Sequence, residues 1–189
     1  MRPVPSYASA MKPQPELRTP RLRLRTRTLA DVEPILDLDA DPEVRRFLGG
    51  PVDPTAHRAL VAGRIADGEP DVWAVERLAE PGLIGLCSIS PRPDGHGNQI
   101  NWRFARRAWG QGFAAEAAGA VLRHAMTHPA AYAPLVAIIR PDNAASIGVA
   151  RRIGMTPVGE GQFYGGPRIL FGLGPVRDPW RQGCSRPVD

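Results

Sequence analysis

Arg107-Ala108-Trp109-Gly110-Gln111-Gly112-Phe113-Ala114 stands between a stretch that alternates like a strand and a stretch that repeats like a helix. The two glycines let backbone N–H groups turn toward a common point. The helix that follows adds its unpaired first-turn donors and the positive end of its dipole. No proline occupies that first turn, so every donor stays available. Arg106 and Arg107 stand at the entrance, placed to meet phosphate oxygens. In outline this is a pyrophosphate cradle, and its flanks decide which kind.

Upstream, Gln99–Phe104 puts Ile100, Trp102 and Phe104 on one face, as an antiparallel strand with one polar side would. Downstream, Phe113–Thr127 reads as the clearest helix. Glu116, Gly119, Arg123 and Thr127 share one narrow line, and Phe113, Ala114, Ala117, Ala118, Val121, Leu122 and Ala125 cover the rest. Such a helix is buried around most of its circumference. Gly110-x-Gly112-x-x-Ala115 also fits a dinucleotide fingerprint, which expects an acidic residue about twenty positions on, at the end of the next strand. That strand, Leu135–Ile139, ends instead in Arg140-Pro141, and the strand before the loop lacks a parallel strand's continuous apolar run. The dinucleotide reading is weak. A glycine turn that merely lets helix meet strand is the plain alternative; the flanking arginines and a second motif argue against it.

Further out, Arg21–Arg25 alternates Arg and Leu and predicts a half-buried strand with its arginines outward. Leu29, Val32, Ile35, Leu36 and Leu38 recur at helical spacing, with Thr28 or Asp31 as cap, until Asp41-Pro42 interrupts the helix or starts another turn. A second helix is expected over Ala56–Ile65. Val72–Leu78 and Leu83–Ser90 form a hairpin across Ala79-Glu80-Pro81-Gly82, and Pro91–Gly97 is a loop. Pro129 ends the buried helix. A compact helix runs from Ala144 to Ile153, capped by Asp142 or Asn143 and stopped by Gly154, and Arg168–Leu173 is a last strand. The order is β-α-α-β-β-β-α-β-α-β: an α/β (α+β) fold, a mixed, mostly antiparallel sheet with helices on its faces.

The chain's 189 residues fit one domain, expected over residues 17–174, with proline-rich mobile arms over 1–16 and 175–189. The N-terminal stretch has no apolar segment of secretory type, and no apolar run is long enough to span a membrane. Cys87 lies in an apolar stretch and Cys184 in a polar tail, so no metal-ligand spacing exists and a reducing cytoplasm is the simplest setting. The net charge of +5 suits nucleic acid or a small polyanion equally, but no basic patch is interleaved with stacking aromatics. Neither nucleic acid nor membrane is expected as a partner.

Arg107-x-x-Gly110-x-Gly112 resembles the acetyl-CoA signature of the GCN5-related N-acetyltransferases (GNAT). Trp109-Gly110-Gln111-Gly112-Phe113-Ala114-Ala115-Glu116-Ala117 is similar to its RimJ- and RimL-type branch. The resemblance runs from the phrase Leu17-Arg18-Thr19-Pro20-Arg21-Leu22-Arg23-Leu24 to about Leu173. It implies acetyl-CoA as acetyl donor, a primary amine as acceptor, no metal, and a homodimer as the branch's common assembly. It also implies that substrates meet where Gln99–Phe104 and Leu135–Ile139 splay apart. There, Trp102, Arg103 and Phe104 lie along the cofactor with Arg106, Arg107, Trp109, Gly110, Gln111, Gly112, Phe113 and Ala114.

Asn143-x-x-Ser146-x-x-Val149-x-x-Arg152-x-Gly154-Met155 resembles the branch's second motif. By that resemblance Asn143 bonds the pantetheine or nearby backbone, and Ser146 is the candidate catalytic proton donor to the leaving thiolate. A plain N-cap for Asn143 and a helix-start hydroxyl for Ser146 are the structural alternatives. Ala150 stands where many members carry a tyrosine. Gln99 stands where the branch often has a glutamate base; Glu76, His96 and Asp94 are weak substitutes. The missing base leaves a non-catalytic coenzyme-A-sensing module as the alternative to an enzyme. The acceptor class, from protein N-terminus to small amine, is not fixed by these motifs.

Overall fold

The arginine–leucine alternation forms a strand over Leu22–Thr26 in which Leu22 and Leu24 are fully buried. The alternating arginines are paired with carboxylates, Arg23 with Glu16 and Glu76, Arg25 with Asp31 and Glu76. This computed structural model describes residues 14–174, so most of the expected N-terminal arm and all of the C-terminal one lie outside the described residues. The described part begins before the expected domain start. Gln14 Oε1 accepts from Val72 N, and the Pro15 carbonyl accepts from Trp73 Nε1 at 2.8 Å.

The strands are β1 (Leu17–Arg18), β2 (Leu22–Thr26), β3 (Val72–Arg77), β4 (Leu83–Pro91), β5 (Asn98–Phe104), β6 (Leu135–Ile139), β7 (Thr156–Phe163) and β8 (Gly166–Gly172). They form one sheet in the order β1-β2-β3-β4-β5-β6-β8-β7, in which only β5 and β6 run parallel. The helices are α1 (Val32–Ala40), α2 (Pro42–Arg45), α3 (Pro54–Ala66), α4 (Phe113–Met126), α5 (Pro129–Tyr132) and α6 (Ala144–Arg152). Short 3-10 turns at Leu29–Asp31 and Arg106–Ala108 precede α1 and the loop before α4.

Helices cover both faces. One core gathers Phe113, Ala117, Val121 and Leu122 of α4 against Leu22, Trp73, Ile100 and Phe171. The other gathers Val32, Ile35 and Leu38 of α1 and Val61 of α3 against Ala74, Leu86 and Ala105. Alternation along β5 therefore sends Ile100, Trp102 and Phe104 toward α4, and Gln99, Asn101 and Arg103 toward the α1–α3 layer.

Three elements lie outside the sequence reading: the two-residue β1, the short helix α5 and the strand β7. Of the two outcomes open at Asp41-Pro42, the structure has the new turn: α2 begins at Pro42, with Glu43 N bonded to the Asp41 carboxylate at 2.9 Å. Pro129 likewise begins α5, the first helical turn being the one place where its missing N–H costs nothing. β7 was missed altogether. Thr156-Pro-Val-Gly-Glu-Gly-Gln-Phe carries a proline and two glycines without apolar alternation, which the sheet tolerates because β7 is its edge.

Candidate active site

β5 and β6 pair over only two residue pairs, Asn98↔Leu135 and Gln99↔Val136. Beyond Gln99, β5 stays with β4 through Phe104, while β6 stays with β8 through Ile139. The sheet thus opens between Ile100–Phe104 and Ala137–Ile139, exposing backbone donors and acceptors on both edges. The vertex is pinned at Gly97, whose φ is +94° and where a Cβ would meet the Pro134 carbonyl oxygen at 2.5 Å. Asn98 N then donates to that carbonyl at 2.8 Å, and Asn98 Nδ2 to Tyr132 O at 3.1 Å.

Above the opening, Gly110 and Gly112 take φ of +74° and +79°, which turns the chain into α4 with no side-chain cap. Glu116 N donates to Gly112 O, leaving the Phe113, Ala114 and Ala115 N–H groups without intrahelical partners. Arg21, from the turn before β2, fastens this loop from behind. Its Nη1 donates to Gln111 O at 3.0 Å, its Nε to Glu116 Oε2 at 2.7 Å, and its guanidinium lies 4.5 Å over the Phe113 ring. Thr19 Oγ and Arg21 N hold the other Glu116 oxygen at 2.6 and 3.0 Å. Burial alone would raise the Glu116 pKa, but the bonds from Thr19 and Arg21 outweigh it and hold the carboxyl below its usual value.

A groove of about 660 Å³ runs from this loop through the gap in the sheet. Trp102, Arg103 and Phe104 line it from β5, and Trp109, Gly110 and Gly112 from the loop. Phe113 and Ala114 line it from α4, and Asn143 and Ser146 from the start of α6. Asn143 caps α6, its Oδ1 accepting from Ser146 N at 3.1 Å. That leaves the Asn143 amide N–H groups and the half-buried Ser146 hydroxyl available to the groove.

Three expected residues do not line this groove. The Arg107 guanidinium turns back to the Leu83 carbonyl at 2.6 Å, beside a separate cavity of about 160 Å³ that is small for a nucleotide. Gln111 Nε2 caps the Arg107 carbonyl at 2.7 Å, and Arg106 lies 3.8 Å from Asp41. The Arg107 and Gln111 side chains brace the loop, Arg106 reaches back toward Asp41, and none of the three forms the groove wall. Conversely, the sequence reading missed Glu43, Val44, Arg46, Phe47 and Leu48, which line the same groove. The Phe47 ring lies 5.3 Å from the Arg46 guanidinium and 5.5 Å from that of Arg140, so the turn after α2 reaches across to the residue that follows β6. No local motif announces such a contact.

The place of the strand base is occupied by an amide. Gln99 is buried; its Oε1 accepts from the Tyr164 hydroxyl at 2.9 Å, and its Nε2 reaches Ser90 Oγ at 3.3 Å. Tyr164 stands at the tip of the β7–β8 hairpin, with φ of +52°. None of the three substitute bases lines the groove. Glu76 is held by Arg25 at 2.6 Å, and Asp94 by Arg92 at 2.6 Å. His96 N donates to Asp94 Oδ1 in the loop after β4. Cys87 is buried in β4 and burial pushes its thiol pKa up, the reverse of an activated nucleophile.

A family model described as an acetyltransferase (GNAT) domain matches residues 21–156. The protein YkkB of Bacillus subtilis (strain 168) is 32% identical over 151 residues, which is 77% of this chain and 87% of that one. A GNAT-family acetyltransferase from Bacillus anthracis superposes with a TM-score of 0.73 at 21% identity, over 84% of this chain and 97% of that one. RimL, a ribosomal L7/L12 alpha-N-protein acetyltransferase solved with coenzyme A, gives 0.65 at 19% identity over 83% and 96%. Among the described residues no helix is long and apolar enough to cross a membrane, and no group of side chains could hold a metal. The chain belongs to the GNAT acetyltransferase family.

Proposed function

We propose that this protein is an acetyl-CoA-dependent N-acetyltransferase that carries the acetyl group to a primary amine by direct attack in a ternary complex. The observation that carries this reading is the groove itself. It joins an uncapped helix N-terminus to an opened pair of parallel strands, and so offers a pyrophosphate and a pantetheine amide their partners in one line.

Acetyl-CoA supplies an activated thioester, and the chain's own residues supply position and protons. The first-turn N–H groups of α4 hold the pyrophosphate. The open edge of β5 holds the pantetheine arm as an added strand, with the Asn143 amide beside it. Ser146 faces the same groove and relays a proton to the leaving thiolate, its hydroxyl regaining one, directly or through water, from the amine nitrogen that becomes cationic on attack. Among the described residues no cysteine lines the groove, which favours attack of the amine on the thioester carbon directly.

The acceptor follows from Gln99, which cannot take a proton. Near pH 7.3 roughly a quarter of an α-amine is already free base, against about one part in a thousand of a lysine amine. An enzyme without the strand carboxylate loses little with the first and much with the second, so the acceptor is a peptide N-terminus or an amino-acid-like amine. The rate then rises with pH along the acceptor's own titration. An amine panel with mass-spectrometric readout tests this, with thiol release measured alongside. Faster acetylation of a lysine side chain than of a free N-terminus in matched peptides defeats the acceptor assignment.

Gln99, bound on both sides by Tyr164 and Ser90, also favours a second reading, a coenzyme-A-binding module without catalysis. Binding without thiol release across the whole panel would select it.

A further inference from the structure

Asn101 is exposed although it lies on β5, the fifth of eight strands in a sheet with helices on both faces. Its own face is covered on either side of it. Toward the phosphate loop, Arg103 is half-buried and its guanidinium lies 3.1 Å from Asp39 of α1. Toward the vertex of the opened strands, Gln99 is buried and bonded to the Tyr164 hydroxyl of the β7–β8 turn. Between those covers one β5 side chain is left open, and it stands where the gap in the sheet begins, since β6 pairs with β5 only as far as Gln99. The other face offers no such port. There α4 and α6 share one core, in which Ala150 is fully buried, and Ile100 of β5 is 2% exposed beneath it. An amine therefore reaches a thioester held beside Ser146 from the side of Asn101.

The amide at this port has a direction. Asn101 Nδ2 donates to Ser90 Oγ at 3.2 Å and approaches Ser88 Oγ at 3.5 Å, both on the paired strand β4. That turns Oδ1 away from the serines and leaves it without a hydrogen-bond partner among the described residues. Gln99 differs, because Tyr164 and Ser90 take both ends of its amide.

An attacking amine must aim its lone pair at the carbonyl carbon, and its nitrogen turns cationic as the C–N bond forms. A fixed carbonyl oxygen that accepts one of its N–H groups orients the lone pair and stabilises the new charge. We infer that Asn101 is a catalytic residue on the acceptor side, its Oδ1 accepting a hydrogen bond from the reacting amine. It takes no proton itself. The nitrogen's proton passes through Ser146 or water to the sulfur as the C–S bond breaks. This rests on the N-acetyltransferase reading above and adds to it the group that holds the nucleophile.

The test measures kcat/KM at saturating acetyl-CoA for the panel amine that the wild type acetylates fastest, and for a lysine-like amine beside it. Asn101→Ala should lower the first by about tenfold, the low end for one hydrogen bond to a charged group at an exposed position. Coenzyme A affinity and melting temperature should stay as in the wild type, because the side chain is exposed and its serine bonds are long. Asn101→Asp keeps the outward oxygen while the serine hydroxyls turn to donate to it, so it should return kcat/KM to within about threefold of the wild type or above. A carboxylate at that point can also take the proton that Gln99 cannot. The same variant should therefore acetylate the lysine-like amine at least about tenfold faster than the wild type, a gain that a merely structural asparagine would not give. An Ala variant as fast as the wild type overturns the inference, and so does one that is slow because it has lost coenzyme A. An Asp variant that leaves the lysine-like amine unimproved places Asn101 away from the reacting nitrogen and overturns it too. Acetylation of no amine at all by the wild type instead sinks the proposed function, and this inference with it.

Discussion

Arg21→Gln is the substitution that best separates a loop held ready from a loop that merely happens to be ordered. In the parent, Arg21 makes a charge-assisted bond to Glu116 and one bond to the Gln111 carbonyl, and covers Phe113. Its side chain is 50% exposed and that of Glu116 16% exposed, so solvent screening holds the ion pair near the low end, about 1 kcal/mol. The carbonyl bond and the cation–π contact add about 0.5 kcal/mol each. Glutamine loses about 2 kcal/mol in all, while Thr19 Oγ and the residue-21 amide still hold Glu116. For a chain of this size that lowers the melting temperature by roughly 4–8 °C.

The part of that loss which concerns the loop, about 1 kcal/mol, also reduces its binding-competent population and weakens coenzyme A roughly fivefold. Calorimetric titration with coenzyme A reads the second effect, and a double-mutant cycle with Glu116→Gln reads the first. An Arg21→Gln protein that binds coenzyme A like the parent, with a coupling to Glu116→Gln under about 0.3 kcal/mol, would refute the clamp.

The other predictions address the same groove. Acetyl-CoA at about a hundred times its Kd should stabilise the fold by roughly 2.7 kcal/mol and NADH should not. Gly112→Asp should abolish that shift while Gly112→Asn, which tolerates the +79° φ without the charge, should keep most of it; a normal shift in the Asp variant removes the loop from the account. Ser146→Ala should leave coenzyme A affinity nearly unchanged and lower turnover toward the low end of about 10²–10⁴-fold, because a thiol with a pKa of roughly 8.5 departs tolerably unaided. Unchanged turnover with chemistry rate-limiting returns Ser146 to helix-start duty. Glu116 titrates below its ordinary 4.5 in the fold, so its stabilisation is full above that pH and is lost as pH falls through the depressed folded value. Glu116→Gln should flatten the acid limb of the melting-temperature profile, and an unaltered limb contradicts the paired carboxylate.

Local chemistry made much of this protein legible in its sequence. β6 was read to the residue, and α4 to within one at its end, because uninterrupted apolar patterns leave a strand or helix one face to bury. The loop before α4 was readable for the same kind of reason: Gly110 and Gly112 carry the left-handed turns, and an uncapped helix start is a property of a few consecutive residues.

What the tertiary structure decided are the facts that need two distant segments at once. Which side of the loop Arg107 faces depends on the Leu83 carbonyl, and the readiness of the loop depends on Arg21, ninety-five positions from its partner Glu116. The groove wall at Glu43, Val44, Arg46, Phe47 and Leu48 brings Phe47 within 5.5 Å of the Arg140 guanidinium, a contact between segments more than ninety positions apart. β7 is a strand because β8 supplies hydrogen-bond partners that its own proline and glycines would never have predicted. Charge shows the division most clearly. The sequence shows an arginine next to a tryptophan on a strand, and nothing in its neighbours says whether that charge is compensated. Only the fold brings Asp39, Arg45 and His57 around Arg103, because electrostatic energy depends on distances of a few ångströms through a desolvated interior and not on separation along the chain.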